Sequence, residues 1–261
     1  MNSALWVAKT GLDAQQTRMN MVSNNLANAN TTAFKRGRAA FEDLMYQNVR
    51  QVGGQTTQET LNPSGLSKGT GVRVVSTEKL FNQGNMIQTE NPLDLAIEGD
   101  GFFEIRLPDG SQAYTRDGSF QLNAEGEVVT SSGYSLEPGI QIPPDAESVS
   151  IGSDGTVSAK LAGQAEPVQL GEIQLTRFIN PGGLQARGEN LFMESASSGP
   201  PQPGTPGFDG LGMLQQGSLE SSNVNVVEEL VNMIETQRAY EINSKAISSA
   251  DQMLQFTNQQ L

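Results

Sequence analysis

A regular spacing of apolar residues near the start of the chain predicts the first helix. These positions recur in alternating steps of three and four residues, with one polar member: Leu5, Ala8, Leu12, Gln15, Met19, Val22 and Leu26. This is the heptad spacing of a helix that pairs with other helices. Gly11 lies inside the pattern and costs about 1 kcal/mol relative to Ala. A helix with this flaw and so narrow an apolar stripe is expected to need a partner.

A second helix is predicted over residues 223–261, where Asn225 and Glu228 form a sequence typical of a capped helix start. Its apolar positions form two stripes: Val227, Val231 and Ile234, then Ile242, Ala246, Ser249, Met253 and Phe256. The stripes are joined through Arg238 by a spacing of about 11 residues, which locally unwinds a coiled coil. The pattern leaves two alternatives open. The terminal helices pack on the body of their own chain, or they pack against other helices.

The middle of the chain has a strand pattern instead. Short runs of alternating polar and apolar residues are separated by Asp-Gly pairs at 100–101, 109–110, 117–118 and 154–155, which is typical of hairpins in an antiparallel sheet or small barrel. The strand candidates are 71–81, 93–106, 113–123, 127–136, 148–160 and 168–179. Two polar stretches, 46–71 and 195–210, have a linker-like composition. The Thr and Gln residues of the first suit an extended strand pair.

Composition removes several classes of chemistry. The 261 residues include no Cys and no His, which excludes Ser-His-Asp and Cys-His nucleophilic sites and zinc sites with His or Cys ligands. The net charge of −13 argues against nucleic-acid binding. No apolar run approaches the roughly 18 residues that span a membrane, so no membrane insertion is expected. The first residues lack the basic and apolar regions of a signal peptide, so no cleaved signal is expected.

Acidic residues of the middle region allow one enzymatic hypothesis. Glycoside hydrolysis needs only two carboxylates, and Asp94, Glu98, Asp100, Glu104 and Asp117 lie close together in the sequence. Calcium loops are a further possibility for the Asp-Gly pairs, but their spacing does not match an EF-hand, and turn formation is the favoured interpretation. The alternative function is therefore an acidic, β-rich, carbohydrate-active enzyme.

Residues 23–36, "SNNLANANTTAFKR", form the most specific stretch of the chain. Asn and Thr end helices and turn the chain through side chain-to-backbone hydrogen bonds, and they also present amide and hydroxyl groups outward. Together with the N-terminal heptad pattern, this stretch resembles the flagellar rod and hook axial proteins. The sequence "GSLESSNVNVVEELVNMIETQRAYEINSKAISSADQMLQFTNQ" is similar to the C-terminal signature of that family. The resemblance covers nearly the whole chain and is strongest to a subunit of the distal rod.

The resemblance implies a structural subunit, not an enzyme, with no cofactor, no catalytic residue and no metal site. Its expected fold is α+β. Residues 1–33 and 220–261 form a discontinuous, coiled-coil-like helical core domain, 34–74 and 195–219 an extended linker region, and 75–194 an antiparallel β-rich outer domain. Subunits would stack helically into a rigid hollow driveshaft that passes motor torque to the hook. The expected partners are further copies of the chain, other rod subunits, the hook protein, the P and L ring proteins and the flagellar type III export apparatus.

The resemblance also implies the location and the contacts. The rod would cross the periplasm as part of the flagellar basal body, after export without a cleaved signal peptide. For the alternative enzyme, the resemblance implies peptidoglycan as the substrate. The residues expected at subunit interfaces are the helix positions and the Asn residues that end the first helix: Leu5, Leu12, Met19, Val22, Leu26, Asn24, Asn25, Asn28, Val227, Val231, Ile234, Ile242, Ala246, Met253 and Phe256.

Overall fold

The computed structural model describes residues 3–52, 64–163 and 166–259, and these residues form two compact units. The helical unit takes its described residues from 1–27, 37–78 and 225–261 of the chain. The β unit takes its described residues from 28–36 and 79–224. The chain is therefore α+β, as the sequence predicts, with helices at its two ends and a β-rich middle.

Two long helices dominate the helical unit. Helix α1 spans Ser3–Ala27 and helix α2 spans Val226–Gln259. They run antiparallel, because Arg18 of α1 bonds to Asn232 of α2 while Asn25, two turns further along α1, bonds to Glu229, near the start of α2. The predicted cap of α2 is present, since the side-chain oxygen of Asn225 accepts hydrogen bonds from the backbone N–H groups of residues 227 and 228 at 3.0 and 3.3 Å.

Four strands accompany the helices. They are β1 (Gly37–Asp43), β2 (Gln47–Arg50), β3 (Leu66–Lys68) and β4 (Val72–Lys79, whose last residue belongs to the β unit). Strand β1 pairs with β4, and β2 pairs antiparallel with β3. The strand pair predicted within 46–71 is confirmed for the described residues. Candidate turns at Gly53-Gly54 and Asn62-Pro63 lie outside them.

The β unit is built from short antiparallel strands. They are β5 (Met86–Gln88), β6 (Leu95–Glu98), β7 (Phe102–Arg106), β8 (Gln112–Thr115), β9 (Phe120–Leu122), β10 (Val128–Thr130), β11 (Ser135–Glu137), β12 (Ala146–Ile151), β13 (Thr156–Leu161), β14 (Val168–Glu172), β15 (Leu175–Arg177), β16 (Gln185–Gly188), β17 (Leu191–Met193), β18 (Gln202–Gly204), β19 (Met213–Gln216) and β20 (Ser218–Glu220). A short 3₁₀ turn, Pro181–Gly183, lies between β15 and β16. Each strand segment predicted from the sequence overlaps at least one observed strand.

The strands of the β unit form one large sheet and several small ones. The large sheet has the order β16-β17-β8-β7-β11-β10-β9, and β15 joins it by pairing with β7 and β18. Strands β12, β13 and β14 form a second sheet, and β19 and β20 pair with β6 and β5. Their inward-facing residues make one main apolar core, which includes Leu95, Phe103, Ile105, Phe120, Leu136, Ile173 and Leu175. A second, aromatic cluster contains Phe102, Tyr114, Phe178 and Phe192.

Two of the four Asp-Gly pairs lie in hairpin turns, as predicted: 109–110 joins β7 to β8, and 154–155 joins β12 to β13. The pairs at 100–101 and 117–118 do not form hairpins, because β6 pairs with β19 and β8 is not paired with β9. In three of the four pairs the Asp carboxylate accepts hydrogen bonds from both the backbone N–H and the hydroxyl of a Ser or Thr two residues further on: Asp109 with Ser111, Asp117 with Ser119 and Asp154 with Thr156. These bonds to the ionised form hold the pKa values of Asp109 and Asp154 below their ordinary value. The carboxylates are therefore used to fix the turns.

Residues 195–219 differ from their linker-like composition. Strands β18 and β19 lie in this segment and pair with β15 and β6 of the β unit. Leu211 and Leu214 are buried in its main core. The many Gly and Pro residues of the segment make its composition resemble that of a linker. Its few Leu residues, however, lie where the segment contacts the core.

Candidate functional site

The contact between the two helices within one chain is largely polar. Arg18 Nη2 donates to Asn232 Oδ1 at 3.3 Å, and Asn25 Nδ2 donates to Glu229 Oε2 at 3.1 Å. A Cβ atom placed on Gly11 would lie 3.1 Å from Asn243 Nδ2, so the glycine lets the helices approach closely. The buried residues of the two helices include apolar, small and polar side chains: Ala14, Val22, Asn25, Glu229, Thr236 and Ala250.

A different face of α2 carries seven exposed apolar residues. We call this face the outer stripe and define it by Val227, Val231, Ile234, Ile242, Ala246, Met253 and Phe256, all of which are exposed in the single chain. Val227 is 70% exposed and Ile242 is 67% exposed. At about 100° per residue, the stripe is centred roughly 120° around the helix axis from the buried positions that face α1. The apolar residues predicted at subunit interfaces on α2 are therefore not used to pair the helices of one chain.

The predicted interface positions on α1 are less accessible. Val22 is buried, and Leu5, Leu12, Met19 and Leu26 are half-buried. Two large side chains at the start of the helix, Trp6 and Val7, are exposed. The described part of α1 thus offers a smaller apolar surface to other molecules than α2 does.

The Asn residues at the end of α1 have separate roles. Asn25 is buried, and its amide exchanges two hydrogen bonds with the backbone of Gly37, at 2.8 and 2.9 Å, in addition to its bond to Glu229. Asn28 begins the turn that follows the helix, where its side-chain oxygen accepts a bond from the Thr31 hydroxyl at 3.2 Å. Asn24 is exposed. The Asn-Thr stretch of residues 23–36 therefore fixes the end of α1 through contacts within the chain.

One group of charged residues was missed by sequence reasoning. Lys35, Arg116 and Glu220 are buried together in the β unit. Burial, assisted by the charge of Arg116, lowers the pKa of Lys35 to about 8. Burial opposes ionisation of Glu220, but Arg116 and Lys35 together hold its pKa below the ordinary value. Nothing in the local sequence "TAFKR" distinguishes Lys35 from a solvated lysine.

Asp94 and Glu104, two of the five acids of the enzymatic hypothesis, form hydrogen bonds within the β unit. Asp94 is buried and accepts hydrogen bonds from Thr89 Oγ1 at 2.7 Å and Asn91 Nδ2 at 2.8 Å. Glu104 accepts from the Thr176 hydroxyl at 3.1 Å, and burial raises its pKa. Within the described residues there is no group of three or more His, Cys, Asp or Glu that could hold a metal ion. No helix in that same part of the chain is long and apolar enough to cross a membrane.

Three protein families match successive parts of the chain. The family described as "Flagella basal body rod protein" matches residues 5–35, which cover α1 and the Asn-Thr stretch. The "Flagellar hook protein FlgE/F/G D1 domain" matches residues 96–159 in the β unit. The "Flagellar basal body rod FlgEFG protein C-terminal" family matches residues 215–260, which contain α2.

Curated relatives match over nearly the full length. The "Flagellar basal-body rod protein FlgG" of Buchnera aphidicola subsp. Schizaphis graminum is 57% identical over 259 residues, which are 99% of this chain and 100% of the relative. The protein of the same name from Borreliella burgdorferi is 50% identical over 99% of this chain and 98% of the relative. The one from Bacillus subtilis is 38% identical over 98% and 97%.

Paired terminal helices around a β-rich middle, with these matches, define an axial protein of the bacterial flagellum. Its place within that class follows from the full-length relatives. The chain belongs to the FlgG family of flagellar basal-body rod proteins, and its function is that of a structural subunit of the rod. The enzymatic hypothesis is thereby removed.

Proposed function

We propose that copies of this chain assemble helically, through the outer stripe of α2, into the rigid hollow distal rod that carries motor torque to the hook. The observation that carries the proposal is that large apolar residues of α2, such as Val227, Ile242 and Phe256, stay exposed although α2 is paired with α1. A contiguous apolar surface on a soluble chain typically marks an interaction site. A helical polymer supplies such a stripe with a neighbour at every subunit.

Burial of the outer stripe between subunits would contribute a free energy of the size that assembly requires. Full burial of one large aliphatic or aromatic side chain contributes about 1.5–3 kcal/mol. Side chains such as Val227, Ile234 and Phe256 are half to two-thirds exposed, so each retains roughly 1–2 kcal/mol to be gained on association. The six large side chains together would contribute roughly 6–12 kcal/mol, which is comparable with the roughly 4–15 kcal/mol that association costs.

The finer arrangement is part of the same proposal. The helical domain of 1–33 and 220–261 forms the wall around the channel, 34–74 connects it outward, and 75–194, together with the strands of 195–219 that pair with it, forms the outer surface. Partners are other rod subunits, the hook protein and the P and L ring proteins. The subunit reaches the periplasm-spanning rod through the flagellar type III export apparatus without cleavage of a signal peptide. Membership of the FlgG family supports these assignments.

Labelling of single cysteines tests the assembly surface. Because the chain contains no Cys, Ile242→Cys and Ser244→Cys each create one unique label site on α2. Ser244 is exposed but lies about 200° around the helix from Ile242. Purified full-length protein should form filaments visible by electron microscopy. In these filaments a maleimide should react with residue 242 at least tenfold more slowly than in the monomer, and with residue 244 at a rate close to that of the monomer. Absence of filaments over a wide concentration range, or equal labelling of residue 242 in both states, would contradict the proposal.

A further inference from the structure

Three buried charged side chains form a cluster in the β unit, separate from the outer stripe. Lys35 Nζ lies 2.6 Å from Glu220 Oε1, and Arg116 Nε lies 2.9 Å from Glu220 Oε2. The side chains of Lys35 and Glu220 have no solvent-exposed surface, and that of Arg116 is 2% exposed. Two cations thus share one carboxylate out of contact with water.

Backbone groups complete the bonding of this cluster. Lys35 Nζ also donates to the carbonyl of Asn82 at 2.9 Å, and the N–H of Gly84 donates to Glu220 Oε1 at 2.8 Å. Arg116 donates to the carbonyls of Gly99 and Gly101 at 2.7 and 3.2 Å. Buried charges are tolerated when they are paired and their remaining hydrogen-bonding positions are filled, and removal of one partner is then strongly destabilising.

Backbone and amide bonds join the same segments around the cluster. The N–H of Ala33 donates to the carbonyl of Glu220 at 2.8 Å. The Asn223 side chain accepts from the N–H of Arg36 at 2.7 Å and donates to the carbonyls of Leu80 and Asn82, each at 2.9 Å. We call the three segments that meet here the root segments: residues 28–36, 79–84 and 218–224.

The root segments coincide with the places where the chain passes between its two units. The chain crosses from one unit to the other after residues 27, 36, 78 and 224. Each crossing is therefore at one end of a root segment. At the β-unit end of each crossing, the root segments are consequently joined to one another by the buried charged cluster and the hydrogen bonds around it.

We propose that the Lys35–Glu220–Arg116 cluster is a clamp that holds the four crossings in fixed positions relative to one another, so that force entering from either helix is delivered to the β unit as a whole. Without the clamp, the root segments would be joined only by the backbone bond of Ala33 and the bonds of Asn223. A buried ionic cluster suits this role because its opening leaves unpaired charges and resists small displacements. The transfer of force rests on the proposed function, but the fixing of the crossings does not.

Hydrogen exchange of the full-length monomer tests the clamp. The variants are Lys35→Met and Glu220→Gln, and the matched control is Lys160→Met, which removes an exposed ion pair of the same unit, 3.7 Å from Glu147. In the two cluster variants, amide exchange should accelerate at least tenfold in the root segments and stay near the parent rate in β12 and β13. The control should resemble the parent throughout. Unchanged exchange in the root segments, or an equal acceleration in β12 and β13, would overturn the clamp.

A second variant and the stiffness of the filaments separate a failure of the clamp from a failure of the proposed function. If Glu220→Gln does not fold, Lys35→Met decides the question, because Arg116 remains paired with Glu220 in that variant. Filaments of Lys35→Met should have a shorter persistence length than those of the parent and of Lys160→Met. An unchanged persistence length would refute the transfer of force. Failure of the parent chain to form filaments would contradict the proposed function, while the exchange result would still decide the clamp.

Discussion

Substitution of Ile242 by Asp should block assembly while leaving the monomer folded. Ile242 is 67% exposed in the single chain, so its replacement removes little burial from the monomer and costs it a few tenths of a kcal/mol through helix propensity. In the polymer, the remaining two-thirds of the side chain would otherwise contribute about 1–2 kcal/mol. A carboxylate in the same place adds a desolvation penalty of several kcal/mol. The sum is at least about 3 kcal/mol for each contact.

This difference is large enough to measure by sedimentation. Since about 1.4 kcal/mol changes an equilibrium constant tenfold, the concentration needed for assembly should rise by at least about 100-fold. Ser244→Asp, which places the same charge on the polar side of α2, is the control and should assemble close to the parent concentration. Circular dichroism should show the same thermal midpoint for the β unit in all three proteins. Assembly of the Ile242 variant at the parent concentration, or equal failure of the Ser244 variant, would refute the role of the outer stripe.

The other predictions concern enzymatic activity, the strand pair of β2 and β3, and the pKa of Lys35. The purified protein should release no sugar or peptide fragments from peptidoglycan; turnover that disappears in Asp94→Asn would contradict the structural role of Asp94. Deletion of residues 50–66 should leave the thermal midpoint of the β unit unchanged but give more flexible filaments, because the strand pair between β2 and β3 is lost; filaments as straight as those of the parent would argue against it. Because the pKa of Lys35 falls from 10.5 to about 8 on folding, the unfolded chain binds more protons above pH 8, so the thermal midpoint should rise from pH 8 to 9.5. Burial also lowers the pKa of Lys79, which makes the thermal midpoint rise with pH in the same way. Lys35→Met should therefore reduce, but not abolish, the rise of the thermal midpoint with pH. An unaltered rise would count against the lowered pKa of Lys35.

Local patterns predicted the elements well because the elements depend on local chemistry. The heptad spacing locates α1 and α2, and the Asp-Gly-Ser/Thr sequences locate turns such as the one at Asp109, since a carboxylate and the hydroxyl two residues on suffice to form them. Pairing of distant segments was not predictable in the same way. Lys35 and Glu220 are 185 residues apart, and each is surrounded by residues typical of a surface. The direction in which α2 turns the outer stripe also depends on its contacts with α1, which include polar residues such as Asn25 as well as apolar ones such as Val22.

The order in which the chain is made gives the root segments a further consequence. Synthesis proceeds from the amino end, so residues 28–36 and most strands of the β unit exist well before Glu220 and β20. Until that part is made, Lys35 and Arg116 lack their shared carboxylate, and β5 lacks the strand with which it pairs. The main apolar core, whose residues lie between Leu95 and Leu214, is therefore made before the charged cluster can form. The bonds that fix the root segments are the last of the β unit to be completed, directly before α2 is made.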